Sequence, residues 1–263
     1  MSSNGNDRAH LVHEARKTIK RMRAMARLLR RETGEREFAH VNSWLRQAGK
    51  RLAGARDAEV RIATLAELRA RHPEELGGEP FERLLARLEQ DRASAQGPDP
   101  VLAVLADIAE MRRDLLRWNL LDHDPEALRV GLRSIYRDGR RRYRRVKRSR
   151  ARDPERMHDW RKRVKSLYYA LDMLGGKQTA ATAKLTKRAD RLGEVLGGEH
   201  DLWMLASFVE DDSRLDRPMR ERLLELIERR RKRLRKRALK LGARLYARKP
   251  SRFATRAGKA LAR

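Results

Sequence analysis

The chain has 263 residues, a formal net charge of +28, and 39% charged against 40% hydrophobic side chains. So large a positive excess requires a polyanion, an acidic surface or an acidic partner to neutralise it. The absence of cysteine excludes disulfides, thiolate metal sites and a cysteine nucleophile, and aromatic residues, at 5%, are too few for a base-stacking platform.

In chain order, the spacing predicts a first helix from about Asp7 to Arg31, broken at Thr33-Gly34. A second follows from Glu35 to Arg71, with a bend near Gly49 or Gly54, and His72-Pro73 ends it because the residue before proline disfavours helix. A third is expected over Glu79–Ala95. After the Gly97-Pro98-Asp99-Pro100 turn, a fourth runs to Leu121 with Leu102, Leu105, Ile108, Met111, Leu115 and Trp118 at helical period. Asp124-Pro125 and Asp153-Pro154 open the fifth and sixth, each an acidic cap followed by a first-turn proline. The fifth runs to Ser149 and the sixth to Gly175-Gly176. A seventh spans Thr179–Val209 and an eighth Arg217–Ala247, and the last residues are a short helix or a basic tail. No stretch alternates with the period of a strand. The expectation is all-α, with antiparallel packing of eight helices.

The helices carry a repeat. His13-Glu14-Ala15-Arg16-Lys17, with Lys20, recurs as His158-Asp159-Trp160-Arg161-Lys162, with Lys165. In each, the histidine and cations share one helical face while the apolar residues (Val12, Ala15, Ile19 and Met22; Met157, Trp160, Val164 and Leu167) take the other. Leu52-Ala53-Gly54-Ala55-Arg56-Asp57 likewise aligns with Leu196-Gly197-Gly198-Glu199-His200-Asp201. Two motifs in the same order at nearly the same offset point to duplication. The expected architecture is two four-helix bundles related by a pseudo-twofold axis, residues 7–121 and 124–247, with a basic tail over 248–263.

The candidate site is cationic. One stripe is His13, Arg16, Lys17, Lys20, Arg23 and Arg27; another is His158, Arg161, Lys162 and Lys165. The fifth helix adds Arg133, Arg137, Arg140, Arg141 and Arg144, with Tyr136 nearby. Arginine offers a planar fork to phosphate oxygens and lysine a flexible point charge, so a phosphate chain is the ligand such stripes suit. Arg56 and His200 join them as candidate ligands, and Asp57 and Asp201 as acids that hold the cations in place. The histidines read as neutral donors to phosphate or as packing under the site. One histidine per helix without a second ligand at i+4 gives little support to metal, and no metal or other cofactor is expected. The basic faces lack the converging carboxylates of a metal-dependent phosphatase. The chain has neither a phosphate-binding glycine loop nor a dinucleotide fingerprint, so no enzyme is expected. The run Arg229–Arg237, eight basic residues in nine, has the composition of a nucleic-acid patch or a targeting signal, but with Leu223, Leu226, Ile227, Leu234, Ala238 and Leu241 as an apolar face it reads as a solvated or partly anion-facing helix. No apolar run has the length of a membrane span or the form of a secretion signal, and a soluble cytoplasmic protein without membrane contact is expected.

The two His-x-x-Arg-x-x-x-Lys helices, each followed by a Leu-x-Gly-x-x-Asp segment, resemble the CHAD family, the conserved histidine α-helical domain. The resemblance covers His10 to Ala247. It implies the paired bundles, a basic groove that binds inorganic polyphosphate, and association with polyphosphate granules and possible granule proteins. Some relatives are fused to a CYTH triphosphate-tunnel domain. This chain lacks that domain's alternating glutamates, so triphosphatase activity is not implied. Nucleic-acid binding is the alternative, and a metal-dependent phosphohydrolase the third reading.

Overall fold

A computed structural model describes residues 2–94, 100–116, 125–174 and 180–258, and every regular element among them is a helix. These are α1 (Ser2–Arg51), α2 (Ala53–Arg71), α3 (Glu79–Ser94), α4 (Pro100–Leu116), α5 (Pro125–Arg148), α6 (Pro154–Asp172), α7 (Ala180–Asp211), α8 (Arg217–Leu245) and α9 (Pro250–Gly258). The expected continuation of the fourth helix to Leu121, the Asp124 cap and the side chain of Arg56 lie outside the described residues.

The break expected at Thr33-Gly34 is present, as a kink at Gly34 with helix on both sides. Residues 2–51 form one helix with a corner at Gly34, whose φ of 83° and ψ of 167° are strained for any residue with a Cβ. The arms on either side fold back on each other. Val12, Ala15, Ile19, Met22 and Ala26 of the first arm meet Phe38, Val41, Leu45 and Ala48 of the second, and Val104, Ile108 and Met111 of α4 close this small core. The break before α2 falls at Leu52, between the two glycines where a bend was expected.

A second, larger core runs from Leu28 and Leu29 of α1 through α2, α3 and α5 to α9. Helix α6 supplies its centre: Trp160, Val164, Leu167 and Ala170 are fully enclosed. Helices α6, α7 and α8 pack in succession, α5 lies against α6, α1 and α9, and α2 rests on α3 and α7. The two Asp-Pro openings behave as their residue types dictate where they are described. Asp153 accepts from the Arg156 amide at 3.0 Å to cap α6. Helix α5 crosses α1 so closely that a Cβ on Gly131 would overlap the Leu28 carbonyl.

Helices α1 and α6 run antiparallel. Arg21 donates to Asp172 at 3.2 Å, and Arg27 donates to Ser166 Oγ at 3.4 Å. These two contacts exchange under the repeat offset: Arg21 is to Ser166 as Arg27 is to Asp172.

Of the stretch expected as a basic tail, Pro250–Gly258 form α9. Phe253 is buried, with its ring stacked 4.0 Å from that of Tyr136.

Candidate anion-binding site

The arginines of α5 fall on the face that the apolar face leaves to solvent. Leu128, Leu132, Ile135, Tyr143 and Val146 are buried, and the intervening positions carry the cations. Against α1 and α6 this face forms a cleft of about 510 Å³, lined by Arg27 and Arg30 of α1, Arg137, Arg141 and Arg142 of α5, and Arg163 of α6. Asp138 is the acid in its wall. It accepts from Arg141 at 2.9 Å and ion-pairs with Arg163 at 2.9 Å. The Arg27 guanidinium is pushed down to about 9 by burial and then by Arg163 and Arg23, so it stays charged at neutral pH. Burial, then Arg163 and Arg46, likewise holds Arg23 below the usual arginine range, and its Nε donates to Asn42 at 3.2 Å. Crowded like charges in a cleft raise the free energy of the empty site and are relieved by a bound anion.

A second cleft, of about 420 Å³, continues along α5 between Arg137, Arg140, Arg141, Arg144, Arg145 and Arg148 and the start of α9. A third, of about 240 Å³, joins Arg142, Arg145 and Arg148 to Arg156 and Asp159 of α6. Arg140 turns its Nε to the Tyr246 carbonyl at 3.1 Å and leaves its other donors for the cleft. Arg133 is exposed one turn before Arg137.

The second histidine stripe faces α7. His158 stacks on His200 with ring centroids 4.4 Å apart, and His200 on Trp203 at 5.6 Å. Burial, then the nearby cations, pushes His158 down to about 4 and His200 to about 3, so both rings are neutral at pH 7. Arg161 is enclosed beside Gly197; burial lowers it, and the charge of Asp201 opposes that shift. Lys165 lies along Gly193, ion-pairs with Asp190 at 3.5 Å and sits over the Tyr168 ring at 5.2 Å. Lys162 is exposed, with Asp159 at 3.7 Å.

The first stripe is more open. His13 and Lys20 are exposed, Lys17 pairs with Glu14 at 3.2 Å, and Arg16 donates to the Leu52 carbonyl at 3.0 Å. The antiparallel register puts His13 beyond the C-terminal end of α6 and His158 near the Gly34 corner, so roughly 30 Å of helix separates the two histidines, while Arg27 at the far end of the first stripe meets Ser166 beside Lys165. The stripes run end to end and do not face one another across one groove. The α6 stripe adjoins the α5 arginines, since Arg142 reaches Asp159 at 3.5 Å.

Tyr136 is a correction. It is 1% exposed, and its hydroxyl donates to the Leu245 and Arg248 carbonyls at 3.1 and 3.2 Å. It anchors α9 and cannot reach an anion. Asp57 is half-buried. Arg30, Arg142, Arg145 and Arg163, not among the expected site residues, line the clefts. Arg30 and Arg145 continue the stripes at i+3 and i+4 and could have been found by extending them. Arg142 and Arg163 fall off the main i, i+4 stripes and become wall residues only because α1, α5 and α6 meet. Among the described residues, no three His, Asp or Glu side chains gather as a metal-binding group, and no helix is long and apolar enough to cross a membrane.

The CHAD domain family model matches residues 4–210. The chain belongs to the CHAD family. No curated protein and no solved structure matches it. The CHAD match ends within α7, so α8 and α9, which complete the larger core, lie beyond it.

Proposed function

We propose that this CHAD protein binds inorganic polyphosphate without catalysis, in the cytoplasm and at polyphosphate granules. The observation that carries the reading is the continuous arginine wall of α5. Arg137, Arg144, Arg145 and Arg148 have no carboxylate partner among the described residues, and three clefts open onto that wall. A phosphate chain presents charge at every unit and no other chemistry, which matches a row of guanidinium forks with little shape. The membership in the CHAD family is compatible with it. The exchange of Arg21–Asp172 with Arg27–Ser166 supports a duplicated unit turned about a pseudo-twofold axis between α1 and α6. Such an axis presents two similar cationic stripes to one long polymer.

Arg137→Glu/Arg141→Glu/Arg144→Glu is expected to weaken polyphosphate binding about 100-fold at moderate salt and to flatten the salt slope, because fewer counterions are released. Fluorescence anisotropy with labelled polyphosphate across a salt series, beside circular dichroism of the variant, measures both. Parent-like affinity in a folded triple variant overturns the site. Nucleic acid is the rival, favoured by net charge alone. Duplex DNA that displaces polyphosphate at equal phosphate concentration decides for the rival.

A further inference from the structure

Beyond the α5 wall, a second cationic surface stands on α8. From Arg229 to the end of this helix there is no acidic residue. Its buried side, Leu234, Ala238 and Leu245, joins the larger core, while Arg231 and Arg235 turn inward onto Glu199 of α7 at 3.1 and 3.0 Å. Those two arginines belong to the scaffold. What remains outside is a ridge: Lys232, Lys236 and Lys240 recur every four residues, with Arg233, Arg237 and Arg244 beside them, outside the core. None has a carboxylate partner among the described residues. Like charges at i, i+4 destabilise a helix, and a bound anion relieves them. One flank of the ridge opens on a cleft of about 260 Å³ where Arg71, Arg230 and Arg237 face Glu67, Glu194 and Asp201.

The ridge and the α5 wall point different ways. Helix α8 packs on α7, and its inner side meets α5 at Tyr136, whose hydroxyl donates to the Leu245 carbonyl, and at Tyr143, which lies against Gly242 and donates to the Leu239 carbonyl. The core lies between the two outer faces, so a ligand on one leaves the other free. The ridge carries only lysine, arginine and small or apolar residues, a row of cationic donors that suits phosphate oxygens.

We propose that the α8 ridge is a second polyphosphate-binding surface, and that the protein joins two polyphosphate chains, one on the α5 wall and one on α8. This rests on the polyphosphate reading of the α5 wall. Each molecule at a granule is then a cross-link between polymer strands, and many weak links act together through effective concentration.

A bridging assay with the full chain tests this. Polyphosphate is fixed to beads, protein is loaded, and a fluorescent second polyphosphate is offered after washing. The parent is expected to capture the second chain. Lys232→Glu/Lys236→Glu/Lys240→Glu is expected to bind the fixed chain within about threefold of the parent while capturing about tenfold less of the second, because only ridge contacts are lost. Circular dichroism confirms that the variant keeps its helices, and Lys232→Gln/Lys236→Gln/Lys240→Gln, expected to fall between parent and variant, is the milder check. Capture unchanged in the Glu variant overturns the proposal and points to self-association through the α5 wall. A parent that binds the fixed chain but captures nothing overturns bridging and leaves the α5 reading intact. A parent that binds no fixed polyphosphate overturns both. Stronger capture of labelled duplex DNA than of polyphosphate reassigns the ridge to nucleic acid and overturns it as a polyphosphate surface.

Discussion

On α1, His13 and Lys20 are exposed and Lys17 pairs with Glu14 at the surface; on α6, the matching His158 stacks on His200, Arg161 is enclosed and Lys165 lies against α7. Both helices keep their apolar backs buried, so the motif fixes the helix but not the fate of its polar front. The difference comes from the neighbour. Helix α7 offers Gly193, whose missing side chain makes room for Lys165, and Gly197 beside the Arg161 guanidinium. Glu199, where the first copy has Ala55, draws Arg231 and Arg235 of α8 across α7. The second copy turns Arg161 and Lys165 onto α7 and keeps Lys162 exposed; the first keeps His13 and Lys20 at the surface.

The buried carboxylate is where this contrast breaks most sharply. Glu199 is 2% exposed, and its removal leaves Arg231 enclosed without its main counter-charge. Glu199→Ala is expected to cost about 3–5 kcal/mol in denaturant unfolding, the usual result of breaking a buried pair. Glu14→Gln in the first copy removes a surface pair and is expected to leave the unfolding midpoint close to the parent's. Similar losses in the two variants would mean that the copies are held alike.

Gly131→Ala tests the seam between the copies. The added methyl meets the Leu28 carbonyl, so α5 must move away from α1. Overpacking of this kind costs about 1–3 kcal/mol. The cleft that holds Arg27, Arg137 and Arg163 should loosen with it, seen as a lower Tm together with weaker polyphosphate binding. A lower Tm at parent affinity would show that the cleft does not need the close approach.

Charge reversal then separates the stripes by ligand length. Lys162 adjoins the α5 wall through Asp159 and Arg142, whereas Lys20 lies far along α1. With short polyphosphate, Lys162→Glu is expected to weaken binding about tenfold and Lys20→Glu less than about threefold; with long chains the two losses should converge, because a long polymer can reach both stripes. Equal losses with short chains would place the stripes on one groove after all.

Most of the helices were legible from local signals. Gly34 and the proline openings mark backbone states that few residues adopt, and apolar period marks buried faces. The cations of α5 were legible as a face because nothing but solvent or ligand competes for it. Residues whose role depends on a remote partner were not. Tyr136 read as an aromatic beside the arginines until α9 brought Phe253 onto its ring. Arg142 and Arg163 read as ordinary surface charges until the crossing of α1, α5 and α6 made them a wall. The opposite ends taken by His13 and His158 follow from helix direction, which a repeat in sequence leaves open.

The smallest expected effect is on pH dependence, and it again divides the copies. His158 and His200 bind protons at about 4 and 3 in the folded chain, against an ordinary value of 6.5. As pH falls below 6.5, the unfolded chain takes up protons that the stacked rings refuse, so the stability they contribute is whole above 6.5 and declines down to about 4 for His158 and about 3 for His200. His200→Asn removes one of the two groups and should flatten the fall in Tm over that window, although it gives up a ring contact at neutral pH. Where the second copy has His200 the first has Arg56, so the stacked pair of rings belongs to the second copy alone. A Tm profile in His200→Asn that falls as steeply as the parent's would mean that the stacked rings do not carry the loss of stability below pH 6.5.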